Sequence, residues 1–322
     1  MAFEAAPYFA DVADGPENGA AYWAKTSDGL RVRIGVWPVE GARGTLLLFP
    51  GRSEYVEKYA RFAREVTAEG FAMTAIDWRG QGIADRLLPD ARVGHVGRFP
   101  DYQKDVAALV ALATELDLPK PWHVLGHSMG GAIGLRAVVE GLDVLSATFT
   151  GPMWGILMAP MMRRLAKLLY LTSGWFNQGH RLPPSASAEN YVLASPFEGN
   201  TLTNTPEMWD YMKAQVTAHP DMALGGPSIH WLGEALRECR YLMSVPPPHV
   251  PAICFVGEDE AIVDREAMRL RMADWPGGSY QVVNNAQHEI LMEGPETRAM
   301  VLRQMLDLFE RGESQANVPR SG

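Results

Sequence analysis

Along this chain, short apolar runs give way repeatedly to stretches whose apolar residues recur at helical spacing. Thr45-Leu46-Leu47-Leu48-Phe49 is a near-continuous apolar run ended by Pro50-Gly51, and Val56, Tyr59, Ala60, Ala63 and Val66 follow at a helical period. The alternation continues with a predicted strand from Ala72 to Trp78 and a helix from Asp101 to Leu116, which has Val106, Leu109, Val110 and Ala113 on one face. Then come a strand from Trp122 to Leu125, a helix from Gly131 to Glu140 and a strand from Leu145 to Thr150. Upstream, Tyr22–Lys25 and Leu30–Pro38 flank Asp28-Gly29, which predicts an antiparallel hairpin. After Thr150 the alternation stops for about a hundred residues, well beyond an ordinary connection. It resumes with a strand at Pro251–Gly257, a helix from Arg265 to Trp275, a strand at Tyr280–Val283 and a closing helix from Glu296 to Glu310. Such alternation predicts an α/β fold: a mostly parallel sheet with helices on both faces. Residues 1–150 form the first part of the core, 151–245 an insertion and 246–312 the second part. Residues 313–322 form a polar tail expected to fray.

The insertion carries Trp154, Trp175, Phe176, Trp209 and Trp231, too many large apolar residues for a disordered linker, and so predicts a mainly helical lid. Its first helix gathers Met161, Met162, Leu165, Leu168 and Leu169 on one face and Arg163, Arg164 and Lys167 on the other. Two readings follow. Either the apolar face packs on the core and water covers the basic one, or a greasy, basic-edged lid meets lipid assemblies. Pro246-Pro247-Pro248 marks the return to the core.

Charge and composition narrow the possibilities. The balance of 29 basic against 38 acidic residues gives −9, which argues against nucleic acid as a standing partner. Cys239 and Cys254 are too few and too far apart for a disulfide framework or a metal site, and Cys254 lies in an apolar run, as a buried thiol of a reducing compartment would. Met1 to Pro7 lacks the basic start and apolar core of a secretory signal, and no stretch is apolar enough to span a bilayer. These features predict a cytoplasmic protein with no cofactor, no metal and no obligate protein partner. On the second reading of the lid, it is also expected to make peripheral contact with the inner face of a membrane or with micelles.

The chemistry begins at Gly126-His127-Ser128-Met129-Gly130, a G-x-S-x-G string between a predicted strand and a predicted helix. That context makes it a nucleophile elbow, with Ser128 as nucleophile at the apex of a strained turn. Any larger side chain at Gly126 or Gly130 would crowd strand against helix. The N–H of Met129 should be one oxyanion donor. A serine nucleophile needs a base and an orienting acid, which in this arrangement follow in the order Ser, Asp or Glu, His on loops after strands. Among eight histidines only His288 follows the last strand and precedes the last helix, so it is the base. The loop after Val256 offers Glu258, Asp259, Glu260 and Asp264. Asp264 is placed to cap the next helix. Spacing alone leaves Asp259 and Glu260 as rivals.

The segment Phe49 to Tyr59 resembles the H-G-x-x-E loop of monoacylglycerol lipases, with Pro50 in place of the histidine, and Asp77-Trp78-Arg79-Gly80-Gln81-Gly82 is similar to the D-x-R-G-x-G turn of α/β-hydrolases. Several blocks resemble the bacterial lysophospholipase branch still more closely. They are Arg86-Leu87-Leu88, Gly94-His95-Val96, Arg98-Phe99, Asp101-Tyr102, Gly225-Gly226-Pro227 with His230-Trp231, and His288-Glu289-Ile290-Leu291. The resemblance implies an α/β-hydrolase fold with a cap. It places the acid three positions after Gly257, at Glu260 rather than Asp259, and the second oxyanion N–H at Arg52. The Arg52 side chain is then expected to pair with Glu54 or Glu57, with a phosphate as the other option. The implied activity is fatty-acid release from single-chain glycerolipids through an acyl-serine, with lysophospholipids first. Monoacylglycerol hydrolysis or a broad carboxylesterase activity is the alternative, and a non-catalytic ligand receptor the remote one.

Overall fold

A computed structural model describes residues 3–176, 178–184 and 186–316. Its strands are β1 (Glu4–Ala6), β2 (Ala20–Lys25), β3 (Arg31–Trp37), β4 (Thr45–Phe49), β5 (Ala72–Asp77), β6 (Trp122–His127), β7 (Ser146–Thr150), β8 (Ala252–Gly257) and β9 (Gly278–Val283). Among the described residues they form one sheet in the order β1-β2-β3-β5-β4-β6-β7-β8-β9. The pairs up to β3–β5 are antiparallel, and all those from β5–β4 onward are parallel. The predicted hairpin is β2–β3, turning at Gly29 with φ 91°. The exposed three-residue β1 has no apolar signal, and it exists through its pairing with β2.

The helices are α1 (Ala10–Ala13), α2 (Ala60–Ala68), α3 (Tyr102–Glu115), α4 (Met129–Val139), α5 (Pro160–Trp175), α6 (Tyr191–Ala194), α7 (Pro206–Ala218), α8 (Ile229–Ser244), α9 (Arg265–Ala273) and α10 (Pro295–Ala316). All five residues of β4 are buried because both faces of the sheet are covered. Their period-two alternation sorts them: Leu47 and Phe49 join a cluster with α3, α4, α8 and α9, while Leu46 and Leu48 join one with α2, α7 and α10. The helix predicted from Val56 opens as a 3-10 turn over Val56–Tyr59, where the Asp77 carboxylate accepts the Val56 N–H.

Helices α5 to α8 lie between β7 and β8. Trp154, Trp209 and Trp231 are buried, whereas the Trp175 side chain lies outside what is described. The expectation that α5 packs its apolar face on the core is overturned. Met161, Leu165 and Leu168 are 81%, 44% and 56% exposed. Arg163 and Lys167 instead line a groove between α5 and α8. The groove side of α5 is met by Gly233 of α8, whose missing side chain admits the Tyr170 ring. The tail also differs from expectation. Helix α10 continues through residues 313–316, and Gly312 lies so close to the Leu145 carbonyl that a Cβ there would be 2.4 Å from its oxygen. That contact fixes the start of the last turn. Residues 317–322 of the predicted tail lie outside the described residues.

Candidate active site

Ser128, Glu260, His288 and the Arg52 loop all follow the carboxyl ends of parallel strands: β6, β8, β9 and β4 respectively. Loops from non-neighbouring stretches of chain therefore meet at one edge of the sheet. Ser128 has φ 51° and ψ −116°, a strained conformation for a residue with a side chain. The glycines on either side permit it. A Cβ at Gly126 would lie 2.7 Å from the Gly130 oxygen, and one at Gly130 would lie 1.9 Å from the Phe49 oxygen.

A hydrogen-bonded row runs from Ser128. His288 Nε2 lies 2.9 Å from Ser128 Oγ, and His288 Nδ1 lies 2.7 Å from Glu260 Oε2. The other Glu260 oxygen accepts the N–H groups of Ile262 and Val263 at 2.7 and 3.1 Å. Burial opposes the charge on Glu260, but His288 and those two amides outweigh it and hold the carboxyl below its ordinary range. Asp259 is exposed and takes no part in this row, and Asp264 caps α9 by accepting the Glu266 and Ala267 N–H groups. Gly151, with φ 48°, makes room for the row, since a Cβ there would lie 3.2 Å from both Glu260 Oε2 and His288 Nδ1.

The amides of Arg52 and Met129 find no acceptor among the described residues. Met129 opens α4, at the positive end of the helix dipole. Both residues border the Ser128 strand-end, Arg52 through the β4–β6 pairing. The Arg52 side chain departs from expectation. Glu54 pairs with Lys58 and Glu57 with Arg33, whereas the Arg52 guanidinium donates to the Gly225 carbonyl at 2.7 Å. Glu57 is held because Arg33 bridges it and Asp77 in the buried core.

Sequence reading missed a buried polar cluster beside His288. Lys58 is ion-paired with both Glu54 and Glu289, Tyr59 donates to Glu54, and His127 stands 3.5 Å from Glu54. The His127 ring lies 4.9 Å from that of His288, and burial pushes its pKa down to about 4, so it is neutral at physiological pH. Glu54, His127 and Glu289 present metal-ligand-type atoms within 4.8 Å of one another. The Lys58 ammonium already sits between the two carboxylates, which is the place a cation would take. Only the E of the H-G-x-x-E resemblance hinted at this cluster.

A cavity of about 330 Å³ opens onto Ser128 and His288. Its roof comes from α6 and α7, through Tyr191, Val192, Met212 and Val216, with Leu202 and Ile262 beside them. The roof is tied to the histidine loop: Glu289 N–H donates to the Leu202 carbonyl, and Asn204 bonds both Asn285 and Gln287. Helix α5 does not border this cavity, so Arg163, Arg164 and Lys167 lie away from Ser128. The two blocks of the lysophospholipase-like pattern meet instead. Gly94 pairs with Pro227, Gly225 donates to the Arg92 carbonyl, and His95 shares a hydrogen bond with Ser228.

The family described as serine aminopeptidase, S33, matches residues 40–295. Lysophospholipase L2 of Escherichia coli strain K12 is 32% identical over 301 residues, covering 89% of this chain and 86% of its own. A monoacylglycerol lipase of Mycolicibacterium smegmatis is 25% identical over 278 residues, covering 82% and 91%. Among solved structures, a soluble variant of monoglyceride lipase from Saccharomyces cerevisiae superposes with a TM-score of 0.72 at 18% identity, over 95% of this chain and all of that one.

Proposed function

The chain belongs to the serine aminopeptidase S33 family and has the α/β-hydrolase fold, and from that premise we propose that it releases fatty acid from single-chain glycerolipids, lysophospholipids foremost. The family description names an aminopeptidase, but the relatives alike over most of the chain are ester hydrolases. The observation that carries the reading is the row from Ser128 Oγ through His288 to Glu260, opening into a cavity with an apolar roof. An apolar roof suits an acyl chain.

His288 Nε2 takes the proton from Ser128 Oγ as the serine attacks the ester carbonyl, and Glu260 stabilises the imidazolium that forms. The Arg52 and Met129 amides hold the oxyanion. His288 then protonates the departing glycerol oxygen and leaves an acyl-serine. Water activated by the same histidine attacks this intermediate and releases the fatty acid. In this account residues 151–245 act as the cap and the two flanking segments as the core.

The exposed face of α5 supports contact with a lipid surface, where such substrates reside. Seven of the twelve exposed large apolar side chains among the described residues fall between Leu157 and Phe176. Arg164 is exposed on the same helix, with Arg163 and Lys167 exposed along the neighbouring groove, in a protein of net charge −9, and this local positive charge favours an anionic surface. No described helix is long and apolar enough to cross a membrane. Two buried free thiols suit a reducing compartment, in keeping with the cytoplasmic face.

A monoacylglycerol activity is the second reading, favoured by the likeness to the mycobacterial lipase. Fatty-acid release from lysophosphatidylethanolamine, lysophosphatidylcholine and a chain-matched monoacylglycerol, measured side by side, separates the two. The reading expects the highest kcat/KM on a lysophospholipid. A preference for monoacylglycerol would replace it with the second.

A further inference from the structure

Most other enclosed arginines of the core are neutralised or fully engaged; Arg271 bonds only the Val245 and Pro246 carbonyls and leaves Nε without a partner among the described residues, but it does not line the catalytic cavity. Arg33 is held by Glu57 and Asp77, and Arg79 by Asp28 and Asp105. Arg86 bonds four carbonyls. Arg52 differs. It lies at the catalytic cavity, no carboxylate pairs with it among the described residues, and its one hydrogen bond runs from Nη1 to the Gly225 carbonyl. The remaining guanidinium nitrogens have no acceptor there and are not among the atoms sealed from solvent. Burial pushes its pKa down only to about 10, so it stays charged at neutral pH.

The side chain is nevertheless carefully placed. Its guanidinium carbon lies 5.7 Å from the Trp231 ring centroid, and Gly94 has no side chain at a point where a Cβ would stand 3.4 Å from Nη1. A cation held this way, with donors left open to the cavity and no counter-charge beside it, is ready to take an anion. The same residue carries the amide assigned to the oxyanion, so its side chain starts at the reacting carbonyl and extends toward the Gly225 segment. A glycerol departing from that carbonyl would carry its phosphodiester about as far as an arginine side chain reaches.

We propose that the Arg52 guanidinium binds the phosphate of the leaving glycerol and sets the preference for lysophospholipid over neutral monoacylglycerol. A planar fork matches two phosphate oxygens, and Gly225 and Trp231 hold that fork in place beforehand. This rests on the ester-hydrolase reading of the site and deepens it by naming what the alcohol side recognises.

The test compares wild type, Arg52→Lys and Arg52→Met on chain-matched lysophosphatidylethanolamine and monoacylglycerol, with folding checked by thermal melting. The ratio of the two kcat/KM values is the readout, because any common loss at the oxyanion hole divides out. The expected fall in that ratio is about tenfold or more for Arg52→Met, mainly through KM, and smaller for Arg52→Lys. Glycerol 3-phosphate should inhibit wild-type hydrolysis of a short-chain ester more than glycerol does, and this difference should vanish in Arg52→Met. Inorganic phosphate serves as a parallel arm. Inhibition by phosphate equal to that by glycerol 3-phosphate would mean a free-anion site and overturn leaving-group recognition. An unchanged substrate ratio would overturn the proposal as well. If wild type hydrolysed no ester at all, the reading of the site would fail instead.

Discussion

Ser128 is held in its strained backbone by contacts too close for any side chain, which makes the elbow testable at one atom. Gly130→Ala would drive a Cβ into the Phe49 carbonyl, so the expected outcome is loss of activity together with a lowered melting temperature. Wild-type melting and activity would contradict that geometry. The acid is equally open to test. Glu260→Gln keeps the shape but removes the charge facing His288, and should lower kcat by roughly 10⁴. Asp259→Asn should change it little, because that side chain is exposed and outside the row; the reverse pattern would make Asp259 the orienter. That Ser128 and His288 would come together was legible in the sequence because their signals are local: a glycine-framed serine, and a histidine between the last strand and last helix. Glu260 needed the family resemblance, since spacing could not rank it against its neighbour. The partner of Arg52 was not legible at all. Gly225 is 173 residues away, and the nearby glutamates that looked like partners are taken by Lys58 and Arg33.

Among the elements, α5 is the one whose sequence pattern and placement disagree. Its amphipathic spacing announced a helix with one apolar face, but periodicity cannot say whether that face meets protein or a lipid surface. The structure turns Met161, Leu165 and Leu168 outward. Replacing Leu165 and Leu168 together with Glu should therefore weaken co-sedimentation with vesicles containing phosphatidylglycerol. It should also slow hydrolysis of lysophospholipid carried in them, by several-fold or more, with little effect on a dissolved short-chain ester. Equal rates on vesicle-borne substrate would show that the exposed face does not dock there. The α6–α7 side of the insertion behaves differently, being laced to the histidine loop through Leu202, Asn204 and Gln287. These polar links join segments far apart in sequence and carry no periodic signal, so the roof of the cavity could not have been assigned from the chain alone.

At the scale of the whole molecule, alternating strand and helix patterns were enough to give the sheet and its interruption, because each buried strand reads as an apolar run. The ionisable groups sealed inside that core were less visible. His123 is buried on β6 against Phe309, with Nε2 lacking a hydrogen-bond partner among the described residues, and burial pushes its pKa down to about 3. An unfolded histidine titrates near 6.5. Between those values the unfolded chain binds a proton that the folded chain refuses, so stability falls as pH drops from about 6.5 toward 3. His127 acts in the same direction down to about 4. Thermal melting should show a lower Tm at pH 5 than at pH 7, with a smaller drop in His123→Asn, which cannot titrate; an identical drop in both would remove His123 from the explanation. In the proposed reaction, Ser128 attacks a lipid ester. The most direct test is fatty-acid release from a lysophospholipid by wild type and by equally folded Ser128→Ala. The account predicts turnover by wild type and a loss of about 10⁴-fold or more in the variant. Intact lysophospholipid after incubation with folded wild type, or substantial release by Ser128→Ala, would contradict it.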